Sequence, residues 1–305
     1  MYAGNAREIS ARAAVPQVVA LLDQDRSMLR AAALATAATS DVPVFAGLVG
    51  GLGQLPEAVA TSAALDVRTG RTVRRLTRTV GGWELTVGRT ADPELLRADA
   101  VVVATPAHPA ARLLADVAPG AAAELSGIEY ASMAVVTLAV RAGDLPTTRG
   151  SGFLVPPVDG RAVKAATFSF AKWDWVRTAG LDGTAGPDDL LVLRCSIGRH
   201  REEALLQRPD EELVALALAD LGDAIGLRAM PVDAHVQRWG GALPQYAVGH
   251  VERVRRIREA VAAVPGLAVC GAAYDGLGLP ACIASAELAA TQVLAALRPR
   301  ETLGA

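Results

Sequence analysis

The sequence is short of aromatic side chains, 4% of 305 residues, and nearly devoid of lysine: Lys164 and Lys172 stand against 28 arginines. That bias reads as base composition and carries no mechanism. Thirty basic and 32 acidic side chains leave a net charge of −2, and no five like charges adjoin, which argues against nucleic acid as a partner. The three cysteines, Cys195, Cys270 and Cys282, show neither CxxC spacing nor adjacent histidines. A disulfide framework and a metal site are therefore not expected, and a reducing, cytoplasmic setting is. No uninterrupted apolar run reaches the ~18 residues of a membrane span, and no basic-then-apolar leader opens the chain. Neither a transmembrane helix nor a signal peptide is expected.

What is present is a 51% hydrophobic chain with 29 glycines and 17 prolines that punctuate it into short elements. Apolar spacing predicts one or two helices from Pro16 to Ala38, a glycine-rich connector from Ala46 to Pro56, and a short helix to Ala64. Leu65–Arg68, Arg71–Leu76 and Trp83–Val87 alternate as strands of a β-meander. The run Ala98–Pro106 reads as a parallel strand buried on both faces, covered by a helix from Pro109 to Leu125. Strands follow at 133–140, 152–155, 163–170 and 190–197, then an amphipathic helix at 210–222 with an acidic first turn. The chain closes with a strand at 232–239, a loop at 240–249, a helix at 250–264, a strand at 267–270, a loop at 271–279 and a helix at 280–297.

The most informative stretch is Leu267–Ser285, where a buried strand feeds a loop with three glycines that opens into a helix beginning at Pro280. Such a helix start offers unpaired N–H groups and a positive dipole end to a phosphate or an electron-rich flavin edge. An ordinary strand-to-helix crossover explains the pattern equally well. No GxGxxG fingerprint occurs, and Gly47–Gly53 lacks the preceding strand that a dinucleotide site needs. His108, His200, His235 and His250 are isolated and read as structural or solvated groups. Ser285 lacks the context of a hydrolase nucleophile. Cys282 could have a lowered pKa at the helix start, but reads better as a small packed residue. Trp239 to Tyr246 could line a flat pocket, or be plain loop.

These segments together resemble the oxygen-dependent porphyrinogen oxidases, the protoporphyrinogen and Gram-positive-type coproporphyrinogen III oxidases within the flavin amine oxidase superfamily. The likeness is carried by Tyr2-Ala-Gly-Asn with Ile9-Ser-Ala-Arg, by Gly50–Pro56 and Ala98–Pro106, and most specifically by Leu243-Pro-Gln-Tyr-Ala-Val-Gly-His250 with Cys270–Ser285. The resemblance implies an α/β plus α+β architecture: an amine-oxidase-like fold with an incomplete FAD domain of parallel sheet pieces, a mixed-sheet substrate domain and a helical remnant. Its implied division is 1–45 helical and membrane-associated, 46–106 FAD-domain, 107–264 substrate-binding, 265–298 FAD-domain and 299–305 tail. Val73 then matches a position at the adenine end of FAD, and Trp239 an aromatic beside the flavin. Gly271, Ala272, Leu277, Gly278 and Leu279 match the loop and helix start near the pyrophosphate, ribityl chain and isoalloxazine. No catalytic side chain and no metal is implied.

The implied chemistry is hydride transfer from a reduced tetrapyrrole to FAD, with O2 as final acceptor, repeated until the macrocycle is aromatic. Because the cofactor carries that chemistry, no general base is required of the protein. Partners implied are a porphyrinogen and O2, and also peripheral contact with the inner face of the membrane, a homodimer or a downstream haem-pathway enzyme. Two other readings keep the same residues: a non-catalytic tetrapyrrole-binding remnant, and a flavin amine oxidase acting on amines or carotenoid precursors.

One departure matters. The family opens with a Gly-rich βαβ unit, and nothing in residues 1–305 supplies its phosphate-binding loop. The chain thus reads as the carboxyl-terminal two-thirds of such an enzyme. The 305-residue protein is accordingly expected to purify with far less than one flavin per chain, read from its visible absorption. A stoichiometric flavin band would contradict this.

Overall fold

In a computed structural model, residues 3–24, 27, 29–30, 33, 45–180 and 186–297 are described. Most of the expected helix beyond Gln24, Tyr2 and the 299–305 tail lie outside the described residues. Near the start, α1 (Ala11–Ala14) and α2 (Pro16–Gln24) precede the glycine connector and α3 (Leu55–Ser62). A meander follows, β1 (Val73–Thr79), β2 (Gly82–Arg89) and β3 (Asp92–Ala98), antiparallel in the order β1-β2-β3. Its third strand is Asp92–Ala98, not the expected Leu65–Arg68, which forms no strand. Leu65 and Val67 stay exposed there, with no core to pack on, and Asp66 pairs with Arg68.

β4 (Val101–Val103) pairs in parallel with β10 (Leu267–Val269), joining residues far apart in sequence. The expected single covering helix is two, α4 (Ala107–Leu114) and α5 (Pro119–Ser126), because Pro119 restarts the chain at a first turn. With α9 (His250–Ala262) they bury Ala110, Leu114, Leu125, Ile257 and Val261 against Val101, Val103, Leu267 and Val269, forming one core with Leu76 and Trp83. Val102, expected to be buried like its neighbours, is 41% exposed, because those helices cover only one face of the pair.

A second core is built on a five-stranded sheet in the order β6-β7-β8-β5-β9, from β5 (Tyr130–Arg141), β6 (Gly152–Leu154), β7 (Val163–Phe168), β8 (Leu190–Ile197) and β9 (Asp233–Pro244). Every pairing in it is antiparallel, where a mixed sheet is the expectation. Two short helices, α6 (Ser169–Lys172) and α7 (Asp174–Ala179), interrupt the run expected to be strand as far as Phe170. Period-two alternation puts Ala134, Val136, Leu138 and Val140 on one face, against Leu213, Ala217 and Leu221 of α8 (Asp210–Ile225). α8 begins with Asp210, Glu211 and Glu212 at its positive dipole end and stops at Gly226, φ 78°, a conformation glycine adopts without strain. The other face of the sheet carries Thr137, Arg194 and His235 side by side across the register.

The two cores divide the chain differently from the implied domains. Residues 107–128 and 254–261 pack with the parallel pair, and the 134–227 segment forms the second core. The expected 107–264 substrate unit is thus narrower in packing terms, since α4, α5 and α9 bury their apolar stripes elsewhere.

The last helix, α10 (Leu279–Leu297), is long and apolar enough to cross a membrane by length and composition. Glu287 and Thr291 interrupt its apolar run without making the helix polar, which is why no uninterrupted stretch marks it in the sequence. Ala289 and Val293 pack against Ala268 and Cys270, while Ile283 and Leu294 remain exposed.

Candidate functional site

The site grows from the end of β10. Cys270 continues the parallel pairing with an N–H donated to the Val103 carbonyl at 3.2 Å, and the chain then turns through Gly271–Gly278 into α10. Gly271 (φ +118°) and Gly276 (φ +151°) hold backbone conformations that other residues rarely adopt, and a Cβ at Gly276 would stand 2.7 Å from that of Ala281. Buried Ser285 accepts the Gly271 N–H at 3.2 Å, which gives this serine a structural role. Cys282 lies 3.8 Å from the Gly276 carbonyl, and burial pushes its thiol pKa up. The activated thiolate considered from its position at the helix start is therefore not what the fold builds.

A latch holds this loop. Tyr246, 1% exposed, donates its hydroxyl to the Ala272 carbonyl at 2.7 Å. Its ring stacks on the His250 imidazole, centroids 4.0 Å apart and planes 13° from parallel. His250 Nε2 lies 3.2 Å from the Tyr274 carbonyl. A carbonyl only accepts, so Nε2 carries the proton and the neutral ring donates. Burial lowers the His250 pKa, outweighing the carbonyl hydrogen bond, and Arg253 pushes it the same way while Asp275 opposes. On its other side the latch is tied to the start of the chain: Ser10 donates to the Tyr246 carbonyl at 2.7 Å, and Ile9 bridges to Ala247. The segments around Ile9, Tyr246 and Gly271 are therefore one cluster in space.

This arrangement corrects one expectation. Tyr246 cannot line an open pocket, because both its ring and its hydroxyl are committed inside. The spacing of Tyr246 and His250, four residues apart, was the available sign of a stacked pair. Nothing in the sequence revealed that both would reach carbonyls in the 270s.

Gly271, Ala272, Leu277, Gly278 and Leu279 lie together on the loop and helix start. Val73, half-buried on β1, packs against the same core as Ala273 and Tyr274. Trp239 is set apart on β9, on the order of 15 Å along the strand from Pro244. The expected loop at 240–249 is strand as far as Pro244, because Gly240–Ala242 form a bulge rather than a break. Ala131 pairs with Leu243 but Met133 with Trp239, and Gly241 (φ +55°) donates its N–H to Ser132 Oγ at 3.0 Å. Bulges re-aim side chains and recur beside binding sites. Here the bulge leaves the Trp239 indole 53% exposed.

The geometry suits an electron-rich planar group. Among the described residues the N–H groups of Gly276, Leu277, Gly278 and Leu279 have no acceptor, and they lead into the positive end of a 19-residue helix. No side chain stands at the glycines to block approach. These residues fit the flavin end of a dinucleotide.

Comparison with known proteins agrees with this geometry. Residues 1–294 match the family of flavin containing amine oxidoreductases. The chain is 38% identical over 301 residues to coproporphyrinogen III oxidase of Mycobacterium tuberculosis, covering 97% of this chain and 61% of that relative. It is 30% identical over 318 residues to protoporphyrinogen oxidase of Macaca fascicularis, covering 96% and 63%. A solved structure from Exiguobacterium sp. 255-15, assigned as a protoporphyrinogen oxidase, superimposes with a TM-score of 0.78 at 30% identity, covering 96% of this chain and 61% of that one. The chain thus spans about 61% of the length of these first relatives.

The latch should be pH-dependent. The His250 pKa is lower folded than unfolded, so the unfolded chain binds the extra proton first as pH falls below the ordinary histidine value. Stability is full above that value and declines below it, towards the depressed folded pKa. Thermal melts should show Tm falling from pH 7.5 to pH 5, with a shallower fall in His250→Gln. Parallel pH profiles would remove the buried imidazole from the account.

Proposed function

Since the chain belongs to the flavin-containing amine oxidoreductases, we propose that it forms the larger part of an FAD-dependent porphyrinogen oxidase of haem biosynthesis, with coproporphyrinogen III as substrate and O2 as acceptor. The observation that carries this reading is the latched glycine loop, whose two halves are the most specific segments of the resemblance and meet through Tyr246, His250, Ala272 and Tyr274. The 38% identity to coproporphyrinogen III oxidase, against 30% to a protoporphyrinogen oxidase, favours the carboxylate-rich substrate. The unpaired cysteines suit the cytoplasm, and the exposed apolar side of α10 is compatible with a position at the inner membrane face.

In this reading the chain's residues position and shield. The N–H groups of Gly276–Leu279 would hold the flavin end of FAD, and Gly271 and Ala272 would let backbone approach it. Val73 supports the adenine end. Trp239 offers a flat face on the open side of the five-stranded sheet. FAD, when bound, supplies two-electron oxidation of the tetrapyrrole and passes the electrons to O2. Tyr246 and His250 hold the loop in the shape that this binding needs, without touching the reacting atoms.

The reading is tested by grafting residues 1–305 in place of the matching part of the Mycobacterium tuberculosis relative. The chimera should bind FAD and release fluorescent coproporphyrin from coproporphyrinogen III roughly tenfold faster than it oxidises protoporphyrinogen, a preference worth about 1.4 kcal/mol. A flavin-loaded chimera without porphyrinogen oxidation, or with the opposite preference, would contradict the assignment.

A further inference from the structure

A cavity with a volume near 710 Å³ opens on the face of the five-stranded sheet away from α8, the face that also carries Trp239. Its walls are apolar and aromatic: Leu48 and Leu52 from the connector, Trp173 and Trp175 from the α6–α7 segment, and Val192 from β8. A Cβ at Gly47 would stand 3.2 Å from the Trp173 indole, and one at Gly51 would stand 3.8 Å from that of Trp175. The connector backbone therefore lies directly over both rings, and its glycines make the gap beside them possible.

Three polar groups on this cavity lack partners. Ser169, 5% exposed, has a buried hydroxyl with no hydrogen bond among the described residues, and the buried Nε1–H of Trp175 has none either. Buried donors in native proteins are nearly always paired, so two in one cavity mark the place of an absent acceptor. Arg194, on β8 opposite Thr167, also lines the cavity, and makes no ion pair or hydrogen bond among the described residues. An indole N–H and a guanidinium can only donate, so a ligand must bring acceptors. Flat apolar walls with donors at one side suit a planar ring system bearing a negatively charged oxygen group.

We propose that this cavity binds a flat aromatic ligand carrying a carboxylate, with Arg194 meeting the carboxylate, Ser169 and Trp175 donating to it or to a ring substituent, and Trp173 and Trp175 packing on the ring. On the reading of the preceding section, the ligand is a propionate-bearing tetrapyrrole, and Arg194 is the residue that meets its carboxylate on the sheet face shared with Trp239. The volume lies within the range of small-molecule sites, about 300–1,000 Å³.

The test uses the 305-residue chain and two fluorescent probes, 1-pyrenebutyrate and its neutral analogue 1-pyrenebutanol. The carboxylate should bind roughly tenfold tighter than the alcohol. Arg194→Ala should abolish that preference and Arg194→Lys should keep part of it. Trp175→Phe, which retains an aromatic ring but loses the N–H, should weaken binding several-fold, with circular dichroism confirming that each variant folds. Equal binding of both probes, or affinity unchanged in Arg194→Ala and Trp175→Phe, would overturn the site. Coproporphyrin III should then displace pyrenebutyrate competitively from the wild-type protein. Arg194-dependent pyrenebutyrate binding with no displacement would leave the cavity standing as an aromatic carboxylate site and overturn its assignment to a tetrapyrrole.

Discussion

Two carbonyl oxygens, those of Ala272 and Tyr274, fix the rest of the candidate site. They sit in a glycine loop that alone would sample many shapes, since Gly271, Gly276 and Gly278 restrict the backbone so little. Tyr246 and His250 take them up, and stacking of the two rings makes a single rigid unit. Each hydrogen bond is worth only about 0.5–1.5 kcal/mol net, but leaving a buried partner unmatched costs about 1–3 kcal/mol. That asymmetry explains why both side chains are almost wholly removed from solvent: the latch works by making every other loop shape leave something unpaired.

The latch also joins elements that are distant in sequence. Tyr246 follows β9 of the five-stranded sheet, His250 begins α9 of the first core, and the loop continues β10 of the parallel pair. The Ser10 N–H reaches the same tyrosine's carbonyl from the start of the chain. A change at the loop is thereby felt in both cores. The helix start, with its row of free N–H groups, owes its orientation to contacts made nearly thirty residues upstream.

Much of this was legible in the sequence, and the exceptions have physical causes. Short apolar runs marked β5 and β8, and the acidic first turn marked α8, because burial leaves a local signature. Gly271–Leu279 stood out through three glycines before a helix-starting proline, a pattern that an ordinary crossover explains equally well. The extension of β9 through Gly240 and Gly241 was hidden, since glycines signal a turn as readily as a bulge and only the partner strand decides between them. The exposure of Val102 and the division of helices between the two cores depend on contacts across the whole chain, which no local pattern records. Arg194 was hidden for a related reason: one arginine among 28 becomes distinctive only when it is seen to line an aromatic cavity.

The Tyr246 hydroxyl holds the glycine loop in shape through the Ala272 carbonyl. Hydrogen exchange of Tyr246→Phe tests it, because that change removes one oxygen and keeps the stacked ring. The amides of Gly271, Tyr274 and Cys282 should exchange roughly tenfold faster, as expected for loss of one buried hydrogen bond, while those of Val136 and Leu138 in the second core stay unchanged. Exchange at the three loop amides equal to that of the unaltered protein would contradict the account.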